Sequence, residues 1–80
     1  MKTSRDLSDF NYERATQDAA EIIQAYVDLA GSLPAGSYGR DAYRRSALIA
    51  FENWRHQAQR SGQLQPADER HLLEILPQDH

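Results

Sequence analysis

Two sets of side chains in this sequence have types and spacings that metal binding or acid–base chemistry would use. Glu52 and His56 stand at i, i+4, while Asp68, His71 and Glu74 stand at i, i+3, i+6, so each set shares one face of a helix. A zinc-protease helix needs two histidines in His-Glu-x-x-His, and a di-iron bundle needs paired Glu-x-x-His motifs with further inward carboxylates. Neither pattern occurs. There is no cysteine, the lone lysine is Lys2, and no serine sits in a strand–turn–helix elbow, so nucleophilic catalysis lacks a candidate. The Gly31 to Gly39 stretch has three glycines, two serines and a proline. A phosphate-binding loop also requires lysine and Ser/Thr in fixed register after a strand, and both are missing. The expectation is therefore a chain with no catalytic residues, no metal and no cofactor, and not an enzyme.

The remaining chemistry lies in arginines. Arg40, Arg44, Arg45, Arg55 and Arg60, with His56, cluster in one segment, and guanidinium suits forked contacts with carboxylate or phosphate. Residues 1–37 carry three bases and six acids, residues 38–62 five bases and two acids, and residues 63–80 one base and four acids, giving −3, +3 and −3. A basic segment thus sits between two acidic ones.

The segment that positions these arginines, Tyr38 to Arg60, has one consistent helical period. At about 100° per residue, Tyr43, Ala47, Ala50, Phe51, Trp54 and Ala58 form an apolar stripe. Arg44, Arg45, Glu52, Arg55, His56 and Gln59 fall opposite, and Leu48 and Ile49 fall among them. Two outcomes follow for Leu48 and Ile49. Either the first and third helices both pack on this one, one on the Tyr43–Trp54 stripe and the other on Leu48 and Ile49, with the arginines pairing to the acidic segments, or they centre a partner-binding patch of Arg44, Arg45, Leu48, Glu52 and Arg55.

Around this helix the fold is expected to be all-α, a single small three-helix domain over residues 1–80. Helices are predicted near residues 8–30, 40–60 and 66–76, the two longer ones antiparallel and the third short. Ser8 is the expected first N-cap, with Leu7 and Tyr12 as a hydrophobic staple and residues 1–7 frayed. Gly31 is expected in the left-handed conformation after the first helix, followed by a 31–39 loop, with Ser61-Gly62 as a second stop. Pro66 suits the first position of the third helix, with Asp68 and Glu69 in its first turn. Leu72, Leu73, Ile75 and Leu76 are its expected apolar face, and residues 77–80 form a tail.

Eighty residues bury only about 60% of their unfolded surface, and 11 of the 32 hydrophobic residues are alanine, so the core is thin. The first helix carries apolar residues around half its circumference, more than a short third helix covers, which predicts a homodimer completing a helical bundle. No apolar leader and no run near the roughly 18 apolar residues of a membrane span are visible, so a cytoplasmic protein without membrane contact is expected. In size and architecture the chain resembles small helical regulators, antitoxins and phage-encoded inhibitors. The leading expectation is a non-enzymatic protein that binds another protein, one with an acidic rim, and modulates or inhibits it. The alternative is a nucleic-acid-binding regulator using the basic helix 40–60, against which the acidic flanks and a pI near 5.5 weigh.

Overall fold

A computed structural model describes residues 10–76 of the chain. They form three helices, α1 (Tyr12–Gly31), α2 (Tyr38–Ser61) and α3 (Pro66–Ile75), with no strand among the described residues. This is the all-α architecture that the periodicities predict. Early α1 meets late α2 through Tyr12 and Trp54, ring centroids 6.2 Å apart, and late α1 meets early α2 through Tyr26 and Tyr43 at 6.1 Å. The two long helices are therefore antiparallel.

Helix boundaries follow side-chain and backbone capping. The α1 N-cap is Asn11, whose side chain accepts a hydrogen bond from the Arg14 backbone N–H; the expected cap Ser8 and staple residue Leu7 lie outside the described residues, as do the expected frayed start and the tail. Gly31 remains helical, contrary to expectation, because Ser32 closes the helix in an ordinary right-handed conformation. Its N–H reaches the Asp28 and Leu29 carbonyls, and its hydroxyl donates to the Leu29 carbonyl. The left-handed residue falls later in the loop, at Gly36 (φ 83°). Ser37 caps α2 by accepting from the Arg40 N–H. At its far end Gly62 (φ 74°) supplies the expected left-handed stop, with Gln63 N–H donating back to the Ala58 carbonyl.

The core is one cluster drawn from all three helices: Ala19 and Ile23 of α1, Ala47, Phe51, Trp54 and Ala58 of α2, and Leu72 with Leu76 from the third helix and its cap. Every α2 residue in it belongs to the predicted stripe, with Tyr43 and Ala50 half-buried at its margin. Small alanines at the crossing let the helices approach while Phe51 and Trp54 fill the space between them. Leu72 is fully buried, whereas Leu73, expected on the same face, is 44% exposed because it stands about 100° further round a short helix. Among the described residues no helix is long and apolar enough to cross a membrane.

A polar chain fastens the three helices at one end. The Trp54 indole N–H donates to the Thr16 hydroxyl (2.9 Å), which donates to the Tyr12 carbonyl (2.7 Å). The Tyr12 phenol donates to Asp68 (2.6 Å) and accepts from the Gln65 backbone N–H (3.1 Å). Gln65 precedes α3 and offers no side-chain cap of its own, so the phenol takes one of the donors at that helix start. Partial burial, and next the hydrogen bond to Asp68, raise the Tyr12 pKa above its ordinary value of 10.0, with the Gln65 N–H and Thr16 hydroxyl opposing. A folded-state value above the unfolded one gives stability that is complete below about pH 10 and is lost as pH rises through the folded value. Tyr12→Phe should cost about 1–2 kcal/mol at neutral pH and shrink the alkaline loss of stability, read by urea denaturation from pH 7 to 11. Equal alkaline losses in both proteins would mean that another group drives them.

Candidate interaction surface

The outer face of α2 is built by the same period that builds the core. Arg45, Leu48, Ile49 and Glu52 recur at i, i+3, i+4 and i+7, turned away from the Ala47–Phe51–Trp54–Ala58 stripe. Leu48 is 45% exposed and Ile49 51%, with Arg45 and Glu52 exposed on either side of them along the helix. α3 does not cover this face. Its buried Leu72, with Leu76 at its cap, enters the central cluster, so the alternative in which the third helix packs on Leu48 and Ile49 is set aside. The physical reason is size. A ten-residue helix reaches about 15 Å, and its start is fastened to Tyr12, at the opposite end of the α1–α2 pair from Tyr43.

The arginines separate into different environments. Arg45 is exposed, as expected, whereas Arg44 and Arg55, expected opposite the core stripe, are half-buried at its flank, about 50° and 70° round the helix from its centre. At Arg55 a guanidinium nitrogen lies 3.7 Å from a Glu69 carboxylate oxygen, and the guanidinium carbon lies 5.7 Å from the Phe51 ring centroid. It therefore links α2 to α3, besides standing at the rim of the outer face. Arg40 donates to the Leu33 carbonyl (3.1 Å) and holds the interhelical loop against α2. The loop comes close there, since a Cβ on Gly39 would lie 3.0 Å from a Leu33 methyl.

The residue sets that suggested metal chemistry do not converge. Among the described residues no three His, Asp or Glu side chains approach one another closely enough to hold an ion. Glu52 and His56 are exposed on α2. Asp68 and His71 line an open groove of about 860 Å³ beside Tyr12, Thr16 and Gln17. The Asp68 carboxylate accepts a hydrogen bond from the Tyr12 hydroxyl there, in a contact that holds helices together. Tyr12, Thr16 and Asp68 were not legible as a set, because the phenol and its carboxylate partner are 56 residues apart; only the i, i+4 spacing of Tyr12 and Thr16 was visible locally.

Comparison with protein-family models, with curated proteins and with solved structures finds no match.

Proposed function

We infer that this chain is a non-enzymatic interaction protein that binds another protein through the outer face of α2 and modulates that protein's activity. The observation that carries this reading is the half-exposure of Leu48 and Ile49 in the middle of a helix whose other side supplies the core. Two adjacent branched aliphatic residues leave about half of their surface in water at those positions. Placed in a partner's apolar pocket they exclude water, and Arg45 at the edge favours an acidic rim on that partner. The internal engagement of Arg55 and Arg40 favours a protein partner over nucleic acid, because it commits part of the basic charge that phosphate neutralisation would use.

The test is affinity capture from an extract of the source organism on the wild-type protein and on Leu48→Ala and Arg45→Ala, followed by binding kinetics with the purified partner. Leu48→Ala should lose about 2 kcal/mol or more, mainly through faster dissociation. Arg45→Ala should chiefly slow association and weaken its salt dependence. Capture of nucleic acid with affinity falling steeply and log-linearly in salt would overturn the reading in favour of a nucleic-acid regulator.

A further inference from the structure

The first helix has a second face. Ala15, Asp18, Ile22, Ala25 and Leu29 follow the 3-4-3-4 spacing of a helix-packing seam, and none of them is fully buried. Ile22 is 47% exposed and Leu29 44%. The inward residues of the same helix, Ala19, Ile23 and Ala30, form a separate buried row. The seam borders Tyr26, whose ring stacks toward Tyr43. On a helical wheel Tyr43 and Arg55 flank the α2 stripe on opposite sides, and Arg55 marks the side to which Glu69 and α3 are attached. The seam therefore lies on the side of the α1–α2 layer that α3 leaves open, and it is distinct from the Arg45–Leu48–Glu52 face.

We propose that this seam receives a second copy of the chain, with the two α1 helices antiparallel about a two-fold axis between Ile22 and Ala25. Two features set the orientation, and the area available suits this occupant. Ile22 of each copy then packs on Ala25 of the other, a large side chain against a small one, twice. A parallel pairing would instead set the two Asp18 carboxylates face to face in the seam; the antiparallel one moves them to opposite ends, each beside its own Arg14 at 3.9 Å. The area is also adequate. A 20-residue helix is about 30 Å long, and with the adjoining edge of α2 the open side is about 20 Å wide, so a dimer buries about 1,200 Å² in total, at the lower end for specific interfaces.

Sedimentation of the full chain should show twice the 9.1 kDa mass at micromolar concentration. Ile22→Lys should raise the dimer dissociation constant by about 30-fold or more while the helical circular dichroism is kept. Because the chain has no cysteine, position can be read by oxidation. Ile22→Cys should link to its counterpart across the axis, within disulfide reach, whereas Leu29→Cys, about 16 Å from its own counterpart, should not. Leu48→Cys, as exposed as residue 22, is the matched control and should stay unlinked. A folded monomer throughout the concentration range would overturn the proposal, as would a dimer that links at Leu48→Cys or at Leu29→Cys in preference to Ile22→Cys.

Discussion

Replacing Trp54 by alanine should unfold the domain or leave it only marginally folded at room temperature. The indole is 4% exposed, packs on Phe51 (centroids 5.9 Å) and Tyr12, and donates to Thr16, so its removal empties the place where all three helices meet. A large aromatic lost from a core costs about 3–5 kcal/mol, and a domain this size has about 4–12 kcal/mol in all. Trp54→Phe separates the contributions. It keeps most of the packing and loses the hydrogen bond, so it should cost about 1–2 kcal/mol. Urea denaturation followed by circular dichroism reads both; a Trp54→Ala protein that melts like the wild type would mean the stripe is not the core.

Leu72→Ala should have the next largest effect, about 2–5 kcal/mol, and should act through α3. Leu72 is the one fully buried side chain of this ten-residue helix, its neighbours Leu73 and His71 being exposed, and with Leu76 at the cap it makes the main apolar attachment to the core. Isolated helices of that length are unstable in water. Loss of this anchor should therefore release α3 first, lowering helical signal by about that segment's share before the α1–α2 pair melts. Amide exchange should show α3 protection falling further than that of α2. Uniform loss of protection along the chain would show that the three helices unfold as one unit.

These expectations rest on parts of the structure that differ in how far they were legible in the sequence. The α2 core was legible residue by residue, because one period runs through 24 residues without a glycine or proline in the interior after Gly39. Gly62 was legible too, since a left-handed stop there requires no tertiary partner. Gly31 was not: a serine directly after it supplied the carbonyl contacts that end α1 without any left-handed residue. The cap at Asn11 was not singled out, because serine and asparagine are equivalent caps by type, and the expected cap Ser8 lies outside the described residues. The covering of Leu48 and Ile49 depended on where α3 docks. That in turn depends on the Tyr12–Asp68 and Arg55–Glu69 contacts, which join residues far apart in sequence.

We propose that α2 holds the fold with one face and leaves the other for a partner. Leu48→Ala tests it most directly, with thermal unfolding and partner capture measured on the same preparation. A half-exposed leucine replaced by the best helix former should change stability by about 0.5 kcal/mol or less, shifting the melting midpoint by under about 4 °C. Capture should fall by about 30-fold in the same protein. If instead the variant melts well below the wild type, Leu48 belongs to the core; if it melts unchanged and captures its partner undiminished, the outer face of α2 is not the binding surface.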